Sequence, residues 1–107
     1  MNPFMLYLSG PMSHFPDHNN EAFQDYAKRL RYAGYGVVNP ADFPRDLDSW
    51  EEYVKRDLRH LLDCQGVAVL DGWQESRGAV LEVDLAHQLK LPVLGVDRWI
   101  AFRDAYV

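Results

Sequence analysis

A chain of 107 residues, 48% hydrophobic and 25% charged, has the size and make-up of one soluble globular domain spanning residues 1–107, able to bury roughly two thirds of its unfolded surface. Eleven basic against sixteen acidic residues leave a net charge of −5, which argues against polymeric nucleic acid as a partner but leaves room for one small anion at a helix N-terminus. The single cysteine, Cys64, excludes an internal disulfide and suits a reducing, cytoplasmic compartment. The start, MNPFMLYLSG, lacks the pattern of a signal peptide. No apolar run approaches the roughly 18 residues of a membrane span.

The elements follow in chain order. Residues 4–8, FMLYL, read as a first strand closed by Ser9-Gly10-Pro11. A long polar loop, MSHFPDHNN, leads to a helix from about Asn20 to Ala33, with Ala22, Phe23, Tyr26, Ala27, Leu30 and Ala33 as its apolar stripe. Gly34 stops that helix as the residue after the cap. Tyr35–Val38 is a second short strand, ended by Asn39-Pro40. Ser49-Trp50-Glu51-Glu52 forms a capping box, so a helix is predicted from there to about Asp63. Val67–Leu70 is an apolar run fit for a strand buried on both faces, with Asp71-Gly72 as the turn. Ser76 is the predicted N-cap of a helix starting near Ala79. Leu91–Val96 is a fourth strand, and residues 97–107 form a short amphipathic tail, helix or loop, that exposes Trp99, Ile100 and Phe102.

The order β-α-β-α-β-α-β implies parallel strands with right-handed crossovers and helices on both faces. The predicted fold is α/β: a three-layer sandwich, flavodoxin- or Rossmann-like, with a doubly wound parallel sheet of four to five strands in the order 2-1-3-4. Such sheets bind ligands beyond the carboxyl ends of their strands, where the order reverses between strands 1 and 3. Those ends carry Tyr7-Leu8-Ser9-Gly10 and Leu70-Asp71-Gly72-Trp73.

Two carboxylates stand out. The helix after strand 3 is apolar on all but one narrow side, yet Glu82 projects from the middle of that apolar arc, between Ala86 and Leu89. In the capping-box helix Asp57 falls between Tyr53 and Trp50. A core-facing carboxylate is costly unless paired, hydrogen-bonded or used. The plain alternative for either is a cap or a salt bridge to Arg56 or Arg77. Two of them flanking one switch point make a candidate site. Ser76-Arg77-Gly78 adds the start of a helix, whose N–H groups suit an anion. Phe15 and Trp73 lie in loops beside the crevice, where stacking on a base competes with ordinary packing. His14, His18, His60 and His87 have no metal-ligand spacing, so neither metal nor cofactor is expected. No GxGxxG, P-loop or nucleophile elbow is present.

The motifs Y-x-S-G-P-M at 7–12, R-x-A-G-Y-x-V-x-N-P at 31–40, W-E-x-Y-x-x-x-D at 50–57 and G-W-x-x-S-x-G-A-x-x-E at 72–82 resemble an uncharacterised, largely phage and bacterial DUF4406-type family. That group is similar to the nucleoside 2-deoxyribosyltransferases and the 2′-deoxynucleoside 5′-monophosphate N-glycosidases. The resemblance implies a glutamate nucleophile at Glu82, oriented by Tyr7, with Asp57 assisting the departing base. It also implies substrate contacts at Asp71 and, for a 5′-phosphate, at Ser76 and Gly78. Ser9, Gly10, Trp73 and Arg77 complete the expected binding set. Those enzymes carry Glu-Leu-Gly at the nucleophile, whereas Glu82 is followed by Val83-Asp84.

The reading is therefore an enzyme that cleaves the N-glycosidic bond of a 2′-deoxynucleoside or its 5′-monophosphate, as a hydrolase or a transferase. The alternative is a non-catalytic module that binds a nucleotide or an ADP-ribose-like ligand. Because the arc of the Glu82 helix is wide, a homodimer or larger assembly is expected.

Overall fold

Parallel strands need a crossover between them, and the alternating sequence supplies a helix at each step. The computed structural model describes residues 3–105. Its elements are β1 (Met5–Ser9), α1 (Asn20–Tyr32), β2 (Gly36–Val38), α2 (Trp50–Leu61), β3 (Gly66–Val69), α3 (Arg77–Gln88), β4 (Val93–Gly95) and α4 (Val96–Ala105). The strands form one parallel sheet in the order β2-β1-β3-β4, the predicted topology.

Side chains alternate across a strand, and β1 divides the core accordingly. Leu6 and Leu8 join Phe23, Ala27 and Leu30 of α1 and Val96 and Trp99 of α4 on one face. Tyr7 joins Leu61, Cys64, Val67 and Ala86 on the other, beneath α2 and α3. Each fully buried Leu, Val or Phe contributes about 1.5–3 kcal/mol. The thiol of Cys64 is buried there, with its pKa pushed up to about 11 by burial. It is a packing residue.

The caps behave as their chemistry dictates. Ser49 accepts from the Glu52 N–H at 3.1 Å, while the Glu52 carboxylate reaches the N–H of Asp48, one residue before the cap. Ser76 accepts from the Ala79 N–H at 3.2 Å, so α3 begins at Arg77, directly after its cap. Gly34 takes φ +104°, the left-handed geometry a residue after a cap requires.

Three expectations change. The fourth strand is shorter than Leu91–Val96, because Val96 already starts α4. The tail does not expose Trp99. Its indole is 4% exposed, its Nε1–H donates to the Val67 carbonyl at 2.9 Å, and its own carbonyl accepts from the Tyr35 hydroxyl. Only Phe102 remains half exposed, with Ile100 partly covered. Finally, the loop after β1 contains a 3-10 turn (Pro16–Asn19), and His14, Asp17, His18 and Asn19 all have positive φ. Asn and Asp tolerate that region best among non-glycine residues, and the Asn19 amide fastens the turn by donating to the Pro11 carbonyl at 2.9 Å.

Candidate active site

The topology brings the ends of β1 and β3 side by side, and a crevice of about 880 Å³ opens above them. Tyr7, Leu8 and Gly10 of the β1 end form part of its lining, and the loop residues Met12, His14, Phe15 and His18 form another part. From α2 come Trp50, Tyr53, Arg56 and Asp57, and from the start of α3 come Ser76, Arg77, Gly78 and Glu82. Gly10 is required by close approach, since a Cβ there would lie 2.7 Å from the Cβ of Leu70.

Glu82 is the most unusual group. It is 8% exposed, and both its oxygens are held: the Tyr7 hydroxyl donates to Oε2 at 2.6 Å and the Ser9 hydroxyl to Oε1 at 2.7 Å. Tyr7 and Ser9 are two residues apart on one strand, so both point to the same face and grip the two oxygens of one carboxylate. Burial pushes the Glu82 pKa up to about 7 against the opposing pull of these two donors, with the charge of Asp57 pushing the same way. Tyr7 itself is raised well above its ordinary value, first by burial and then by the Glu82 charge. A carboxylate near neutrality, oriented through both oxygens and opening on a cavity, has the attributes of a nucleophile or base.

Asp57 is largely covered, with its side chain 18% exposed, and Arg56 Nε donates to its Oδ1 at 3.1 Å. Burial raises its pKa, and Arg56 works in the opposite direction. The salt bridge to Arg56, weighed as the plain alternative, is present, and Asp57 still lines the crevice.

The expected binding residues divide into two sets. Gly10, Ser76, Arg77 and Gly78 line the crevice, and Ser9 acts on Glu82 from beneath. Asp71 is exposed, and neither it nor the half-buried Trp73 belongs to the lining. After Gly72 the chain enters a 3-10 turn, Trp73–Glu75, and Glu75 of that turn reaches the lining. Arg77 is exposed, and its guanidinium lies 3.6 Å from the ring centre of Trp50, joining the starts of α2 and α3 across the crevice. Arg45, His14 and His18 are crevice groups that the sequence reading left unassigned, and Arg56 entered it only as a salt-bridge partner. The adjacency of Arg56 to Asp57 was the only sign available for any of them.

Fold and site together define a parallel α/β domain with a poised carboxylate at its topological switch point. The chain belongs to the family described as Domain of unknown function (DUF4406), whose pattern it matches over residues 4–95. No curated protein matches it.

Proposed function

We propose that this protein cleaves the N-glycosidic bond of a 2′-deoxynucleoside or its 5′-monophosphate. The observation that carries the reading is Glu82, buried beneath a crevice of about 880 Å³ with both oxygens held by Tyr7 and Ser9. Breaking the bond between C1′ and a base nitrogen builds positive charge on the sugar. Glu82 attacks C1′ and forms a glycosyl ester, and the bonding electron pair leaves with the base. Asp57 delivers a proton to the departing nitrogen; burial supports that role by favouring its protonated form. Water then displaces Glu82 in a hydrolase, or a second base does so in a transferase. Tyr7 and Ser9 hold the carboxylate for attack.

The start of α3 suits a 5′-phosphate, with Ser76, Arg77 and Gly78 on the crevice and the helix dipole oriented favourably. A Cβ at Gly78 meets nothing within 4 Å, so a larger residue there would occupy ligand space without displacing protein. No cofactor is part of the proposal. We also propose a cytoplasmic setting, in keeping with the free, buried Cys64; among the described residues no helix is long and apolar enough to cross a membrane. A second copy of the chain is the proposed cover for Leu62, Val80, Leu81 and Leu89, which stand 38–55% exposed along α3 and the end of α2. Sedimentation as a monomer at high micromolar concentration would remove that part.

The test is incubation with a panel of deoxynucleosides and their 5′-monophosphates, followed by chromatography for free base. Release of base from at least one member, faster for the monophosphate, is the expected result. Tight binding of a nucleotide with no release by any member would instead identify a binding module.

A further inference from the structure

Arg56 is held from four sides. Its Nε donates to Asp57 Oδ1 at 3.1 Å, and its Nη1 donates to the Pro44 carbonyl. The guanidinium carbon lies 5.0 Å from the ring centre of Phe43 and 5.1 Å from that of Tyr53. Phe43 is braced in turn by the imidazole of His60, with ring centres 4.3 Å apart. The side chain of Arg56 is 20% exposed and forms part of the crevice wall. A surface arginine that merely solubilises a helix has no such set of partners. One fork therefore couples three things: the α2 carboxylate, the backbone of the loop after β2, and two aromatic rings.

We propose that Arg56 is the positioning residue of this site: it fixes Asp57 against the departing base and ties that geometry to the loop carrying Phe43 and Pro44. The inference rests on the glycosidase reading for its kinetic consequences, but not for its structural ones. Engaging Oδ1 leaves Oδ2 as the oxygen that carries the transferable proton, so the carboxyl presents one defined edge. A planar fork achieves this and an ammonium does not, because only the fork offers two fixed donors while stacking on rings. Arg56 acts through Asp57 and needs no contact with substrate. Its charge also offsets part of the effect of burial on Asp57, alongside His60 on the same helix and Arg45 from the loop. Tyr7 on β1 and Glu82 on α3 face Asp57 from the other side, and its charge raises the pKa of both.

The experiment compares the full-length protein with Arg56→Met and Arg56→Lys. Methionine keeps an apolar stem between Phe43 and Tyr53, and lysine keeps the charge. Carboxyl-carbon NMR titration of Asp57, assigned with Asp57→Asn, reads the pairing without any substrate. Steady-state release of base reads kcat and KM separately. Arg56→Met is expected to move the Asp57 titration to higher pH and to lower kcat roughly a hundredfold through misplacement, with KM within about threefold. Arg56→Lys is expected to bring the titration back while recovering no more than about a tenth of kcat, because charge returns without the fork. An Asp57 titration unmoved in Arg56→Met overturns the proposal, and so does full kcat in Arg56→Lys. If the unmodified protein releases no base, the glycosidase reading fails by itself, and the titration still decides whether Arg56 governs Asp57.

Discussion

Tyr35 and Tyr7 are both buried, one on each face of the sheet, and each donates its hydroxyl at 2.6 Å. Tyr35 donates to the backbone carbonyl of Trp99, a group with one protonation state. Tyr7 donates to Glu82, whose charge changes near pH 7. The first bond closes an aromatic cluster of Phe4, Tyr35 and Trp99 that docks α4 on the sheet. The second holds a group whose burial opposes its ionised form. The α1–α4 face closes on apolar and aromatic packing, whereas the α2–α3 face carries the energetic penalty of a buried carboxylate.

Five substitutions or conditions sharpen or break this contrast. Glu82→Gln is expected to lower base release about ten-thousandfold, as loss of a nucleophile does, with the fold intact by circular dichroism. Trp99→Ala is expected to do the reverse. It should cost about 3–5 kcal/mol of stability by denaturant titration, with turnover per folded molecule unchanged. If Trp99→Ala abolished turnover in molecules that remain folded, the division between the faces would be wrong.

The third is a pH effect. Since the folded pKa of Glu82 lies above its ordinary 4.5, at about 7, its contribution is fully present below about pH 4.5. It is lost as pH rises through about 7, where the folded state too must ionise a buried acid. The displacement corresponds to about 3 kcal/mol. Glu82→Gln should therefore be more stable than the unmodified protein at pH 8 and equal to it at pH 4, by thermal denaturation. In kinetics the sign is opposite: turnover should fall as pH drops through about 7, as the carboxylate gains its proton. The smallest effect compares the tyrosines. Tyr7→Phe removes a bond to a charged acceptor, about 1.5–3 kcal/mol, and should appear as a loss in kcat of roughly ten- to a hundredfold. Tyr35→Phe removes a neutral bond of about 1 kcal/mol and should appear only in the melting temperature.

How much of this was legible in the sequence depended on range. The sheet order followed from alternation of strand and helix patterns. Glu82 was visible because a carboxylate interrupted an apolar arc, and Ser49 and Ser76 because capping is a local reaction between a hydroxyl and an N–H three residues on. Trp99 was misread because its partners, Val67 and Tyr35, lie 32 and 64 residues away; in isolation its segment is only an amphipathic tail. Ser9 was assigned to substrate rather than to Glu82 because no pattern announces a contact across 73 residues. The stack of Arg77 on Trp50 depends on two helix starts converging, which the order of elements permits but does not specify. Asp71 was placed by its position after a strand, but it stands exposed outside the crevice lining.

The grip on Glu82 can close only once distant parts of the chain have met. Its two hydroxyls come from β1, which is paired on both sides, to β2 and to β3. A slip of one residue would turn both hydroxyls to the opposite face of the sheet, leaving the carboxylate bare. Glu82 also stands 75 and 73 residues from these partners, so no fragment emerging early in synthesis holds the assembled trio. The trio is thus complete only when the first strand is paired on both sides and the third crossover helix has closed over it. A chain caught part-way has Glu82 but not the two hydroxyls that orient it.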